Sequence, residues 1–297
     1  MKPSTSLTVP IRGLAYHVRA WGDAGAPKLF MLHGRMDVGA SFQFLVDALR
    51  RDWHVIAPDW RGFGDSEWCA DGYWFPDYLA DLEALLDHFA PGEPARLVGH
   101  SLGGNVVMLY AGTRPQRVSR VVSLEGFGIP AEPADVAPQK YAKWLDALKE
   151  APGFRPYRNL AAVADRLQKN NPRLTRDKAE FLAGHWASAQ PDGSARLKSD
   201  PRHKLPFPTV YRTEEIFAVW KRITAPVLWV AATESFMARW LATPPEGEGA
   251  AEGLGGIRER LAYVPRRELV TIGEAGHMLH LDNPEAVAAA IEPFLAS

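Results

Sequence analysis

The sequence Gly99-His100-Ser101-Leu102-Gly103-Gly104 is the strongest candidate for chemistry in this chain. It lies between an apolar run of strand length and an apolar stretch of helical length. A tight turn in this context needs small flanking residues, and it exposes the serine hydroxyl above the edge of a sheet. The helix that follows directs its positive end towards the serine and favours negative charge there. We therefore expect Ser101 to be a nucleophile.

A second candidate is His277, which follows Gly276 just after the last apolar run of the chain. A serine hydroxyl is a poor nucleophile unless a neighbouring base takes its proton. His277 comes late enough to be a base that follows the nucleophile in chain order. His280 competes for this role, but its place beside the final helix favours packing or capping. We predict that His277 is the general base.

A third candidate is the loop that begins with His33-Gly34-Arg35, directly after an apolar run. Attack by a serine on an acyl carbon creates an oxyanion, which two backbone N–H groups must stabilise. One N–H comes from the residue after the nucleophile, here Leu102, and the other from the loop after the third strand. We predict the Leu102 and Arg35 amides as donors. The Arg35 side chain could reach the pocket or lie in solvent, and the sequence leaves both interpretations open.

The elements that position these residues follow from an alternation of short apolar runs and longer amphipathic stretches. Strands are predicted at residues 7–11, 14–21, 28–33, 54–58, 96–99, 118–124, 226–232 and 269–272. The first two should be antiparallel, and the rest predict right-handed βαβ units in a mostly parallel sheet. Asn283 and Pro284 predict the start of a closing helix.

The strand pattern stops after Gly128 and resumes at Pro226. Four amphipathic stretches lie between these points, at residues 140–149, 160–168, 175–187 and 213–222. We therefore predict a first core segment at 1–128, a mainly helical cap at 129–225 and a second core segment at 226–297. A stretch rich in Gly, Pro, Ala and Glu at 243–256 predicts a surface loop.

The composition excludes several classes of function. The formal net charge of -1 does not indicate nucleic acid or an anionic membrane as a partner. The single cysteine, Cys69, permits neither an intrachain disulfide nor a cysteine-based metal site. The chain has no phosphate loop, no dinucleotide fingerprint and no metal-ligand spacing, so we expect no cofactor and no metal.

The N-terminal residues lack the apolar stretch of a signal peptide, and no run reaches the length of a membrane span. A cytoplasmic location is the resulting expectation. The composition does not indicate an oligomeric state.

Four motifs together resemble the α/β-hydrolase superfamily: His33-Gly34, the segment Asp59-Trp60-Arg61-Gly62-Phe63-Gly64-Asp65-Ser66, the Ser101 motif and Gly276-His277. They are similar to its esterase, lactonase and epoxide-hydrolase-like branch with a helical cap. The resemblance spans nearly the whole chain. It implies an α/β fold with a mostly parallel eight-stranded sheet flanked by helices, and a mainly helical cap inserted after the sixth strand.

The resemblance also implies a third catalytic residue, an acid that holds the histidine and stabilises its cation. Most relatives place an Asp after the seventh strand, but this chain has Glu234 there. A second location is the end of the sixth strand, where Glu125 stands, and fungal zearalenone lactonases are similar in carrying a Glu at that point. A carboxylate at the end of an apolar strand is costly to bury unless it has a partner, so its presence there indicates a role. We prefer Glu125 and keep Glu234 as the alternative.

The function these residues imply is hydrolysis of a carboxylic ester or lactone by a serine hydrolase, on a small and apolar substrate. Six cap aromatics are candidates for the pocket wall: Trp144, Phe154, Tyr157, Phe181, Trp186 and Trp220. One alternative is carbon–carbon bond hydrolysis with the same three residues. Another is a slow or non-catalytic ligand-binding member of the fold, which the missing Asp favours. Ser101 in place of a carboxylate nucleophile disfavours epoxide hydrolysis and dehalogenation.

Overall fold

The computed structural model describes residues 1–150, 152–241 and 254–297. The strands within these ranges are β1 (Ser4–Ile11), β2 (Leu14–Trp21), β3 (Lys28–Leu32), β4 (His54–Pro58), β5 (Ala95–His100), β6 (Val118–Leu124), β7 (Ala187–Ala189), β8 (Ala195–Leu197), β9 (Val227–Ala232) and β10 (Arg267–Ile272). Eight of them form one sheet in the order β1-β2-β4-β3-β5-β6-β9-β10. The β1–β2 and β2–β4 pairs are antiparallel, and the pairs from β4 to β10 are parallel. The predicted mostly parallel sheet is confirmed.

The helices are α1 (Gln43–Ala48), α2 (Phe75–Phe89), α3 (Leu102–Thr113), α4 (Ala137–Lys149), α5 (Leu160–Asn170), α6 (Arg176–Trp186), α7 (Thr213–Trp220), α8 (Phe236–Leu241), α9 (Gly255–Leu261), α10 (Leu279–Asp282) and α11 (Pro284–Ala296). The predicted start of the last helix is confirmed, since the Asn283 side chain accepts a hydrogen bond from the Ala286 N–H at 3.2 Å. None of the described helices is long and apolar enough to cross a membrane.

The sheet is covered on both faces, which is why its central strands are continuously apolar. Neighbouring residues of β5 point to opposite faces, so Leu97 belongs to one core cluster and Val98 to another. The first cluster includes Leu82 of α2 and Val107 of α3. The second includes Ile291 of α11. The carboxyl ends of the parallel strands therefore meet at one edge, where ligands bind in open α/β sheets.

The segment between β6 and β9 contains helices α4 to α7, in agreement with the helical stretches in its sequence. It also contains a short antiparallel hairpin of β7 and β8, which the sequence analysis did not predict. Each strand has only three residues, too few to show an alternation of apolar and polar side chains. Gly193 turns the chain with φ of +83°. The division into core and cap segments at residues 128 and 225 stays a prediction.

The predicted surface loop at 243–256 lies mostly outside the described residues. Its last two residues, Gly255 and Gly256, belong to α9.

Candidate active site

Ser101 stands at a sharp turn between β5 and α3. Its φ of +50° and ψ of -111° lie in a region that non-glycine residues rarely adopt. The turn is held from both sides, since the Ser101 N–H donates to the Leu124 carbonyl at 2.8 Å and the Ser101 carbonyl accepts from Asn105. Gly103 must lack a side chain, because a Cβ there would lie 2.1 Å from the Leu32 carbonyl oxygen. The sequence thus forces the strand-to-helix turn that projects the hydroxyl from the sheet edge.

His277 lies against Ser101 on the turn between β10 and α10. Its Nε2 is 3.0 Å from the Ser101 Oγ, within hydrogen-bonding distance. Its backbone is also held, because the His100 Nε2–H donates to the His277 carbonyl at 2.8 Å. About a fifth of the His277 side chain is exposed, so the imidazole contacts both protein and open space.

Glu125 lies on the far side of the His277 ring. Its Oε2 is 3.2 Å from the His277 Nδ1, and its side chain is fully buried. The Ala232 N–H donates to Oε1 at 2.7 Å, and the Ser235 hydroxyl donates to Oε2. A buried carboxylate needs partners of this kind, since an unpaired one would be strongly destabilised. The φ of +57° at Glu125 turns the chain out of β6 towards the histidine.

Glu234, the alternative acid, is not brought to His277. Its side chain is half exposed and pairs with Arg173. The reason is the course of the chain after β9: the Ala232 N–H and the Ser235 hydroxyl reach Glu125, while the Glu234 side chain between them faces the Arg173 guanidinium. The structure therefore brings Ser101, His277 and Glu125 into one hydrogen-bonded line and leaves Glu234 outside it.

The loop after β3 lies directly beside the nucleophile. A Cβ at Gly34 would lie 2.8 Å from His100 Nδ1 and 3.2 Å from the Ser101 Cβ, so a side chain here would require its neighbours to shift. Leu102 is the first residue of α3, where N–H groups have no partner within the helix. The Arg35 side chain lines the cavity described below and donates to the His203 carbonyl. The predicted oxyanion residues thus belong to the two segments that flank Ser101.

His33 has a hydrogen-bonding role within this loop. Its Nε2 accepts from the Trp60 N–H at 2.8 Å, and its Nδ1–H donates to the Gly34 carbonyl at 2.7 Å. Burial lowers the pKa of His33 to about 4, so its ring is neutral near pH 7. It holds the loop and does not supply a proton.

Ser101 and His277 open into a cavity of about 1130 Å³. Of the six cap aromatics considered from the sequence, Trp144 lines this cavity. The other five are absent from the described lining and pack elsewhere: Trp220 against Trp229, Phe181 against Phe44, Phe154 under Lys204, Trp186 against Asp37 and Tyr157 beside Ala195. The rings that do line it include Tyr73, Trp74, Phe75, Tyr78, Phe207, Tyr211, Phe236 and Trp240. The wall is rich in aromatic groups, largely from segments that the sequence analysis did not single out.

The basic groups of the cavity wall are mostly neutralised by acids. The Arg61 guanidinium donates to both oxygens of Asp81, at 2.5 Å each. Burial alone would lower the pKa of Arg61, but the hydrogen bonds and the charge of Asp81 raise it above its ordinary value. Lys140 and Arg202 also lie at the wall and pair with Glu132 and Asp200. These pairs leave a wall of low net charge.

Two groups of histidine and carboxylate side chains among the described residues are close enough to hold a metal ion. In the first, His17 has partners on both ring nitrogens, with Asp59 Oδ2 at 2.8 Å from Nδ1 and Ser6 Oγ at 3.0 Å from Nε2. Its hydrogen bonds explain that group without an ion. The second group consists of Asp37, His100 and His280.

The sequence analysis missed Ser235, the Ala232 amide and the bond from His100 to the His277 backbone. Ser235 and Ala232 become relevant only when β6 and β9 lie side by side, and no local pattern marks them. His100 carried a signal, since it directly precedes the nucleophile. The arrangement as a whole can move a proton from Ser101 to His277 and stabilise the resulting imidazolium with Glu125.

One protein family and several individual proteins are similar to this chain. The family described as alpha/beta hydrolase fold matches residues 27–284. A serine hydrolase-like protein from Danio rerio is 28% identical over 291 residues, covering 93% of this chain and 84% of its own length. Lipase LipV from Mycobacterium tuberculosis is 28% identical over 289 residues, covering 93% and 95%. A thioesterase domain from the curacin biosynthetic pathway has the same fold, with a TM-score of 0.84, 21% identity and coverage of 98% and 99%.

Proposed function

This chain belongs to the α/β-hydrolase superfamily, and we propose that it hydrolyses a carboxylic ester or lactone through an acyl-enzyme on Ser101. In this proposal His277 is the general base and Glu125 is the acid that orients it. The amides of Leu102 and Arg35 form the oxyanion hole. No cofactor or metal takes part in the reaction.

The reaction proceeds in two halves. His277 Nε2 takes the hydroxyl proton while Ser101 Oγ attacks the acyl carbon, and the oxyanion is stabilised by the two amides. The tetrahedral intermediate collapses, and His277 gives its proton to the leaving oxygen. A water molecule, deprotonated by His277, then attacks the acyl carbon and forms a second tetrahedral intermediate. As this intermediate collapses, the bond from the acyl carbon to Ser101 Oγ breaks, His277 returns the proton to Oγ, and the carboxylic acid leaves.

The observation that carries the proposal is the continuous line from Ser101 Oγ through His277 to Glu125. The two steps measure 3.0 and 3.2 Å, and the line opens into the 1130 Å³ cavity. A nucleophile and base within hydrogen-bonding reach, with the base oriented by a third group, is the signature of nucleophilic catalysis. Glu125 supplies the acid at His277 that the segment after β9 does not, since its Glu234 pairs with Arg173, and this disfavours the slow or non-catalytic alternative.

The segment between β6 and β9 acts as a cap in this proposal. It contributes Trp144, Phe207 and Tyr211 to the cavity wall, opposite the sheet edge that carries Ser101. A cavity of this size and aromatic content favours a largely apolar substrate, since burial of apolar surface gives most of the binding free energy. The similarity to a protein named as a lipase favours an ester over a carbon–carbon bond as the group that is cleaved.

Turnover of p-nitrophenyl esters of increasing chain length and of several lactones tests the proposal. We expect turnover by the wild type and loss of it in Ser101→Ala and His277→Ala. Glu125→Gln should also lose most of the turnover. Glu234→Gln is its matched control, because each substitution removes one carboxylate near the same sheet edge. Failure of the wild type on every ester and lactone would contradict the proposal, and so would full turnover by Ser101→Ala.

A further inference from the structure

Three titratable side chains lie together behind the Ser101 site, outside the cavity. They are Asp37 from the loop after β3, His100 at the end of β5 and His280 in α10, and they are 3%, 1% and 0% exposed. The ligand atoms they offer lie within 4.8 Å of one another, and His280 Nε2 is 3.9 Å from Asp37 Oδ2. None of the three lines the cavity described above. This cluster has no role in the proposed reaction.

Three of the four ring nitrogens of this cluster are buried and have no partner among the described residues. Both ring nitrogens of His280 and Nδ1 of His100 have no hydrogen bond within the described parts of the chain. Buried polar groups are nearly always hydrogen-bonded, because a buried group without a partner destabilises the folded state. The two nitrogens of one imidazole point in diverging directions, so one His280 nitrogen can share a ligand with His100 Nδ1. These two atoms beside the Asp37 carboxylate point to a ligand that they bind together.

The lone pairs of the cluster suit a cation. His100 uses its Nε2–H to donate to the His277 carbonyl, so its Nδ1 carries a lone pair. A neutral His280 imidazole carries one lone pair as well, and neither of its nitrogens has a partner among the described residues. Neutral imidazoles with a carboxylate form a ligand set typical of divalent transition metals.

The carboxylate of Asp37 is held in place by donors from two sides. The Ser41 hydroxyl donates to Oδ2 at 2.9 Å, and the Trp186 indole N–H donates to Oδ1 at 3.3 Å. Metal ligands in proteins are commonly fixed by such outer hydrogen bonds.

We propose that Asp37, His100 and His280 form a binding site for one divalent transition-metal ion, with Zn²⁺ as the natural candidate. The ion accepts lone pairs from the Asp37 carboxylate, from His100 Nδ1 and from one nitrogen of His280. A water molecule is the alternative occupant, since it could donate to Asp37 and to His100 Nδ1 and accept from a His280 N–H, and the metal-binding test separates the two. The site is structural: it joins the β3 loop, the β5 end and α10, and through His100 it contacts the backbone of His277.

Metal binding to the full chain tests this proposal without reference to activity. Protein freed of metal by a chelator is incubated with Co²⁺ or Zn²⁺, both in the native state and during refolding from urea, because the site is buried. We expect about one equivalent of metal per chain, ligand-field absorption bands of bound Co²⁺ and a higher Tm with Zn²⁺. Asp37→Asn and His280→Gln, each checked for native circular dichroism, should weaken binding by at least about tenfold.

Two control variants make the test specific. His17→Gln removes the histidine of the other cluster, and His277→Ala removes a partly exposed histidine next to His100. Both variants should still bind about one equivalent of metal per chain. The proposal is overturned if the wild type binds no metal by either route, which would leave water as the occupant. It is overturned equally if binding survives in a folded Asp37→Asn/His280→Gln double variant, or if it is lost in His277→Ala.

Discussion

The described residues contain two serine–histidine–carboxylate lines, and their side-chain distances are nearly the same. In one, Ser101 Oγ is 3.0 Å from His277 Nε2, and His277 Nδ1 is 3.2 Å from Glu125. In the other, Ser6 Oγ is 3.0 Å from His17 Nε2, and His17 Nδ1 is 2.8 Å from Asp59. Distances alone therefore do not distinguish a candidate active site from a structural hydrogen-bond network.

The backbone around each serine distinguishes the two lines. Ser6 is an exposed residue in the middle of β1, in regular register with Arg19 of β2. Ser101 has a φ of +50°, stands at the start of α3 and opens into the large cavity. Only the second serine has a helix N-terminus and a neighbouring loop to stabilise an oxyanion. The comparison teaches that the strained turn, more than the three side chains, marks the reactive serine.

The largest expected effect comes from the two serines themselves. Ser101→Ala should lower kcat for an aryl ester by about 10⁴–10⁶-fold, because it removes the nucleophile. Ser6→Ala should leave kcat within about twofold, because Ser6 lies outside the cavity. Steady-state kinetics of both purified variants measures the contrast. A comparable loss in the two variants would break the distinction drawn here.

The two carboxylates give the next effect. Glu125→Gln should lower kcat by about 10³–10⁴-fold, because a neutral amide cannot stabilise the imidazolium that forms on His277. Glu234→Gln should stay within about twofold, since that side chain is half exposed and pairs with Arg173. The two variants are compared at one pH on one ester. Equal activity of Glu125→Gln and the wild type would rule out Glu125 as the acid.

A smaller effect should come from Ser235, which donates to the same oxygen of Glu125 that faces His277. Ser235→Ala removes one hydrogen bond to a charged group, worth about 1.5–3 kcal/mol, so kcat should fall by roughly tenfold or more. Ser235→Thr keeps the hydroxyl and should restore much of the rate. If alanine and threonine behave alike, the hydroxyl does not position Glu125.

The smallest effect concerns stability rather than rate. Burial raises the pKa of Asp37 to about 7, so the folded chain binds this proton more tightly than the unfolded chain does. Between about pH 4 and pH 7 this carboxyl therefore contributes a free energy of unfolding that falls as the pH rises. Asp37→Asn does not titrate and keeps acceptor and donor atoms for Trp186 and Ser41. In urea unfolding without metal, the free energy of unfolding of the variant should rise relative to that of the wild type as the pH increases across this range. A difference that does not change with pH would contradict the raised pKa.

The sequence predicted what depends on local pattern. Residues adjacent in the chain predicted the strands of the sheet, the turn at Ser101 and the N-terminal capping residue of α11. The structure agrees with these three predictions. The choice between Glu125 and Glu234 did not follow, because both stand just after strands that end at the same sheet edge. Only the packing of β6 against β9, with its hydrogen bonds to Glu125, separates them.

The cavity wall and the buried cluster were beyond sequence reasoning for a similar reason. Tyr73 and Phe236 lie far apart in the chain, and only the folded molecule brings both to the wall of one cavity. Asp37, His100 and His280 have no recognisable ligand spacing, since each comes from a different element. The periodicity of apolar residues in the segment after β6 indicated that this segment is mainly helical. It did not indicate which of its aromatic rings line the cavity.

Labelling with a fluorophosphonate probe, followed by mass spectrometry of the peptides, tests the central claim most directly. The probe forms a covalent bond with a serine whose hydroxyl is activated by a base. We predict about one label per chain, located on Ser101, reduced strongly in His277→Ala and unchanged in Ser6→Ala. A label on Ser6, or equal labelling of the wild type and Ser101→Ala, would contradict the account.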